Sequence, residues 1–141
     1  MLQRRQTLWM LCAAVCAVLT FRFPFFSGHL QTDPAKGVTL EYLTATSKPI
    51  WLLILGVALS VGILVNIFNY KKRKQQLLIT IVLILLSLLN IIVYWFAHSQ
   101  YIDGTFSLSA LFALAIPVFL IFASRGISKD EKLVKSADRL R

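Results

Sequence analysis

The stretch NIFNYKKRKQQLLIT (Asn66–Thr80) sets four consecutive bases, Lys71, Lys72, Arg73 and Lys74, between two long apolar runs. On its N-terminal side lies IWLLILGVALSVGILVNIFNY (50–70) and on its C-terminal side LLITIVLILLSLLNIIVYWFA (77–97), and neither contains a charged side chain. A helix rises 1.5 Å per residue, so about 20 apolar residues cross a hydrocarbon layer of about 30 Å. Both runs reach that length, and the basic segment between them is a tight turn. A turn this short cannot wrap a duplex, and no zinc, RNA-motif or basic-helix signature accompanies it.

The rest of the chain extends the pattern. Its 141 residues allow one domain, and 57% hydrophobic content with a mean hydropathy of +0.72 exceeds what soluble globular chains carry. A run from about residue 6 to 23 follows Arg4 and Arg5 and meets one charge, at Arg22. Another, 106–124, carries Pro117 near its middle, where a kink would leave a carbonyl for neighbouring helices to satisfy. Four spans follow, at about 6–23, 50–70, 77–97 and 106–124. The first begins as a secretory signal would, yet it runs on into FRFPFF rather than an A-x-A site, so it reads as a retained helix.

Lys and Arg of short loops are retained on the cytoplasmic side. With both termini and the 71–76 turn inside, the inner segments hold twelve of the fifteen bases and leave Arg22, Lys36 and Lys48 outside. The acids split three and three, so the whole formal charge of +9 is cytoplasmic. Each base near the surface attracts anionic head groups by about 1 kcal/mol. That account needs no nucleic acid; an acidic partner, including structured RNA, is the alternative for the same patch.

The outer loop, 24–49, is long enough for structure of its own. VTLEYLTAT (38–46) alternates around β-branched and aromatic residues, FSGHLQ (26–31) precedes it, and TDPAKG (32–37) between them has turn chemistry, so the loop predicts a small β-hairpin cap. Two strands alone are marginal in water. The hairpin must rest on the helix ends or recruit part of HSQYIDGTF (98–106) as a neighbour. At the other end, Ser128 and Glu131 have the spacing of a capping box, which predicts a separate cytoplasmic tail helix over about 128–140, broken from the last span at Gly126. Its Lys132, Lys135 and Arg139 join Lys71, Lys72, Arg73 and Lys74 as candidate contacts for anionic lipid or a partner.

MLQRRQTLWML (1–11) and RGISKDEKLVKSADRLR (125–141) resemble the termini of a Bacteroidota family of small four-span inner-membrane proteins, the domain of unknown function 4293 family. The resemblance covers the whole chain. It implies four helices in the bacterial cytoplasmic membrane and supplies no catalytic residue.

Chemistry has to come from polar groups inside the spans, where they are expensive and often functional. Between their ends the spans hold no Asp, Glu, Lys or Arg, which weighs against a proton-coupled exporter with an embedded carboxylate. Asn66, Asn69, Asn90, Ser60, Thr80 and Ser87 remain, each read as an interhelical hydrogen-bonding group, with Asn90 the deepest of the asparagines. Gly56 and Ser60, with the Ala58 and Gly62 pair, form small-xxx-small spacings that let another helix approach. Helix packing is therefore assigned to Gly56, Ser60, Gly62 and Asn90. Cys12 and Cys16 lie one turn apart, unsuited to a disulfide in regular helix; His29 and His98 lack a third ligand nearby in sequence. No nucleophile motif or phosphate-cradling loop is present.

These readings predict an all-α membrane protein, four helices in an up-down bundle with both termini cytoplasmic, with no cofactor or metal. The expected role is non-enzymatic, an accessory or scaffold subunit of a larger inner-membrane assembly. Its expected partners are the bilayer with its anionic head groups and a membrane protein or further copies of itself, without specific nucleic acid. The alternative is a small transporter or lipid-handling protein using a groove near Asn90 and Pro117. An intramembrane redox enzyme built on Cys12 and Cys16 is a third class.

Overall fold

A computed structural model describes residues 2–30, 40–46, 50–70, 72–99 and 101–138. Four helices account for most of the chain: α1 (Leu2–Leu19), α2 (Ile50–Phe68), α3 (Arg73–His98) and α4 (Ala110–Asp138). Three strands, β1 (Phe26–Leu30), β2 (Leu40–Leu43) and β3 (Tyr101–Phe106), lie between them. α1 packs against α2 and α4, and α3 packs against the same two helices.

The buried positions explain that packing. The most regular run of them takes Gln6, Met10, Ala13 and Ala17 on α1 with Thr20 just past its end, and Leu52, Gly56, Leu59, Ile63 and Asn66 on α2, with Ala14 and Ser60 buried beside it. On α3 they are Gln76, Thr80, Leu83, Ser87, Asn90, Tyr94 and Ala97, and on α4 Ala113, Ile116, Leu120, Ala123, Ile127 and Asp130. Steps of three and four alternate throughout, which is the 3.5-residue repeat of knobs-into-holes packing. The buried rows are rich in small and polar residues. Large apolar side chains point away, among them Leu8, Leu11 and Val15 on α1, Val57 and Val61 on α2, Leu85 and Ile92 on α3, and Leu111 and Val118 on α4. In lipid an apolar side chain gains nothing by turning inward, so close approach and hydrogen bonding select the inner face instead.

α2, α3 and α4 are long and apolar enough to cross a membrane, with mean hydropathies of 2.5, 2.8 and 2.1. The first helix differs from its expected span. It starts at Leu2 and stops at Leu19, leaving an apolar stretch, Gln6–Leu19, shorter than the other three. It stops because the amides of Phe21 and Arg22 fold back onto the carbonyls of Val18 and Leu19, at 3.2 and 3.0 Å. The Thr20 carbonyl is meanwhile taken by the amide of Ala45 at 3.2 Å. Pro24 then disfavours helix in the residue before it.

The strands form one antiparallel sheet in the order β2-β1-β3. The expected hairpin pairing between β1 and β2 is present, Phe26 facing Leu43, and β3 from the 98–106 loop joins on the other side, Phe26 facing Phe106. The sheet also rests on helix ends. Phe25, Phe26 and Leu43 share a buried cluster with Leu52, Tyr94, Ala97 and Ala113, and the Phe25 ring stacks on Tyr94 at 4.6 Å. The expected turn, 32–37, lies wholly outside the described residues.

Strand β3 also moves the start of the fourth helix, from the expected Phe106 to Ala110. At its far end the correction is larger. α4 continues without interruption through Pro117, Gly126 and Ser128 to Asp138, so there is no separate tail helix beginning at 128. Gly126 supplies clearance rather than a break: a Cβ there would stand 2.7 Å from Cγ of Gln6.

Candidate functional site at the basic end of the helices

The helix ends opposite the sheet gather both the cations and most of the buried polar side chains. Two hydrogen-bonded groups tie this end together. In the first, the side-chain amide of Gln6 on α1 donates to the carboxylate of Asp130 on α4, and both residues are buried. Gly126, one turn before Asp130, is the place on α4 where the Gln6 side chain lies down.

The second group joins α2 to α3. Asn66 Nδ2 donates to Thr80 Oγ1 at 2.8 Å, and Thr80 in turn donates to the Gln76 carbonyl, also at 2.8 Å. Gln76 Nε2 donates to the Asn66 carbonyl at 3.3 Å and lies 3.7 Å from the sulfur of Met10 on α1. Oδ1 of Asn66 is buried and has no partner among the described residues. Three helices therefore meet through side chains within one layer, each interhelical bond contributing about 0.6 kcal/mol on average.

Around these buried groups stand cations of the α2–α3 turn and of α4, whereas Arg22 lies at the sheet end. Lys72, Lys74, Arg125 and Lys129 are exposed and Arg73 is half-buried. The turn at Lys72, Arg73 and Lys74 is tight: the Lys72 amide donates to the Asn69 carbonyl at 3.3 Å, and its own carbonyl caps the Gln76 amide at 2.9 Å. Lys132 and Lys135 belong to the last turns of α4, which with 29 residues is about 43 Å long and so exceeds the hydrocarbon layer by about 13 Å. Lys71 and Arg139 lie outside the described residues.

The residues expected to pack helices are deeper. A Cβ on Gly62 would stand 2.7 Å from Cδ2 of Leu83, which places Gly62 in the α2–α3 contact. Gly56 faces the sheet end, against the ring of Phe21 and the methyl of Ala45. Ser60 is buried and returns its hydroxyl to the Gly56 carbonyl at 2.9 Å. Ala58, its small-residue partner one turn before Gly62, is exposed, whereas Gly62 is half-buried. Asn90 is 2% exposed, and its Oδ1 has no partner among the described residues. Cys12 and Cys16 are half-buried free thiols, and among the described residues no three His, Cys, Asp or Glu side chains are grouped to hold a metal.

Over residues 2–140 the sequence matches the family model described as domain of unknown function (DUF4293). The chain belongs to that family. Comparison with curated proteins and with solved structures gave no match. The match takes in both the DUF4293 termini and the helices between them, including Gln6 and Asp130, whose contact lies near its two limits.

Read from the sequence, Asp130 counts only among the inner acids, Gln6 and Gln76 are passed over, and Gly126 is taken for a helix break rather than a contact. The signal that could have found them is spacing: Gln6 stands one turn before Met10, Gln76 one turn before Thr80, and Gly126 one turn before Asp130.

Proposed function

We propose that this DUF4293 chain is a non-enzymatic integral membrane protein of the bacterial cytoplasmic membrane, an accessory or scaffold subunit of a larger assembly. Its helices run up and down in a bundle with both termini in the cytoplasm, following the retention of Lys and Arg on that side. The observation that carries the reading is the division of labour at the basic end. There Gln6, Asp130, Asn66, Gln76 and Thr80 are hydrogen-bonded among themselves in the interior, while Lys72, Lys74, Arg125 and Lys129 face outward. Polar groups consumed in holding helices together are not free for chemistry, whereas exposed cations on a fixed frame suit acidic surfaces and anionic head groups. Its partners on this reading are anionic phospholipid and a membrane protein or further copies of the chain.

Purification from native membranes in a gentle detergent, followed by mass spectrometry, tests it. Co-purifying membrane proteins or a homo-oligomer are expected. Recovery of a lone monomer under every condition would count decisively against the reading.

One observation favours a second reading, a small transporter or lipid-handling protein. Oδ1 of Asn90 is buried mid-helix without a partner among the described residues, and Pro117 on the adjacent α4 cannot donate to the carbonyl four residues before it. Water access to a cysteine placed at 90 would support a groove there; a site closed to small aqueous thiol reagents would dismiss it.

A further inference from the structure

The turn from Phe106 to Ala110, between β3 and α4, presents an unusual surface. Leu108 at its tip is 90% exposed, the highest value among the exposed large apolar side chains. Phe106 is 52% exposed and stacks on Trp95, itself 59% exposed, with ring centroids 6.0 Å apart. Leu111, one turn further on, is also exposed. In water this would be a costly place for a leucine with no contact of its own.

Most polar groups of the same turn are turned inward. The carbonyls of Ser107, Leu108 and Ser109 accept from the amides of Ala110, Leu111 and Phe112 at 2.9, 3.2 and 3.0 Å. The Ser107 amide donates to the Phe25 carbonyl at 3.2 Å, and the Ser109 hydroxyl donates to the Pro24 carbonyl. The two serine hydroxyls also hydrogen-bond each other at 2.8 Å. A backbone entering lipid must satisfy its polar groups internally, because hydrocarbon offers no donors or acceptors. The carbonyls of Ser107, Leu108 and Ser109 and both serine hydroxyls meet that demand, while the amides of Leu108 and Ser109, without a partner among the described residues, require the acceptors that the head-group boundary supplies.

From the exposed leucine, the internally bonded carbonyls and hydroxyls of the turn and its continuity with the apolar outer faces of α3 and α4, we infer that the β3–α4 turn is a membrane-seating element placed at the head-group boundary, where its two free amides find acceptors. Leu108 enters the boundary between head groups and acyl chains at the sheet end, and Phe106 and Trp95 sit beside it as interfacial rings. The occupant of this surface is phospholipid. The small sheet thus lies on the membrane on this side rather than standing clear of it. The inference rests on the apolar spans and not on any partner, so it stands or falls apart from the accessory-subunit reading.

The test uses the full chain in phosphatidylcholine and phosphatidylglycerol vesicles, with Cys12→Ala and Cys16→Ala and a fluorescent thiol label on Leu108→Cys. Thr46→Cys, exposed at the same end, serves as the comparison. The expected result is blue-shifted emission at 108, strong quenching by lipids brominated in the acyl chain and loss of most quenching by aqueous iodide, with the reverse at 46. Iodide quenching at 108 equal to that at 46 would overturn the inference. So would protection from both quenchers, which would mean that protein covers the turn. Should the cysteine-free chain fail to fold, Leu108→Trp in the otherwise unaltered sequence gives the same readout as the difference in bromolipid quenching from the parent, and no added quenching overturns the inference equally.

Discussion

Gln6 and Asp130, separated by 124 positions, hydrogen-bond to each other in the interior of the basic end. The contact closes the first helix onto the last, and it does so beside Gly126, whose missing side chain leaves the space that Gln6 fills. A carboxylate hydrogen bond of this kind contributes about 1.5–3 kcal/mol. A double-mutant cycle between Gln6→Ala and Asp130→Ala, read by unfolding in mixed detergent micelles, is expected to give a coupling of about that size. A coupling near zero would show that the two side chains do not depend on each other.

Gly126 makes a separate prediction. In most solvent-exposed helix interiors Gly→Ala is favourable by about 1 kcal/mol. Here the added methyl meets Gln6, so Gly126→Leu should disrupt the α1–α4 contact and cost about 1–3 kcal/mol. Combining it with Gln6→Ala should recover part of that loss, measured by the same unfolding assay.

Gly62 reports on the α2–α3 contact in the same way. A Cβ there lies 2.7 Å from Leu83 Cδ2, the mobile end of a side chain, so Ala is tolerated better than a β-branched residue. Gly62→Val is expected to destabilise by about 1–3 kcal/mol, and Leu83→Ala in the same chain to relieve the overpacking. Equal stability of Gly62→Val and the parent would place the two helices further apart than described.

Asn90 separates structure from function. Its carbonyl oxygen is buried without a partner among the described residues, and an unsatisfied buried acceptor costs about 1–3 kcal/mol. Asn90→Leu should therefore leave stability unchanged or raise it. If the substitution also abolishes a cellular phenotype of the chain while the protein accumulates normally, the amide has a role beyond packing and the groove reading gains over the scaffold reading.

The cations make a prediction about lipid. Replacing Lys72, Arg73 and Lys74 together by Gln removes an attraction of about 1 kcal/mol per base for anionic head groups. Native mass spectrometry of the protein released from mixed vesicles should show fewer retained phosphatidylglycerol molecules than the parent, and no change with phosphatidylcholine. A cysteine at 74 and one at 46 should also be labelled from opposite sides of the membrane.

How much of this was legible before the fold was known varies by element. α2 and α3 could be read directly, since each is a charge-free apolar run of spanning length and the basic turn between them has nowhere else to go. The sheet was half legible: alternation around Glu41 and Tyr42 marked β2, and the instability of two lone strands called for β3, but its pairing through Phe106 was an option rather than a deduction. The sequence carries the apolar run of α1 four residues past the helix end because Phe21 and Phe23 continue it; the helix stops at Leu19, where the Phe21 and Arg22 amides fold back and Thr20 gives its carbonyl to Ala45. The tail was drawn as a second helix because Gly126 and Ser128 carry the local marks of an end and a start. The chain overrides those marks because Gln6 packs over Gly126 and Asp130 anchors the next turn.

The length and charge of apolar runs are local properties of the sequence, so they alone establish a helical chain with segments long and apolar enough to cross a membrane, runs that water rejects wherever they fold. Which faces turn inward was decided only by the tertiary structure. Hydrophobicity cannot rank the faces of a helix when lipid and protein interior are equally apolar. The choice passes instead to side chains that must find a partner far along the chain, Gln6 to Asp130 and Asn66 to Thr80, and to glycines that let them meet.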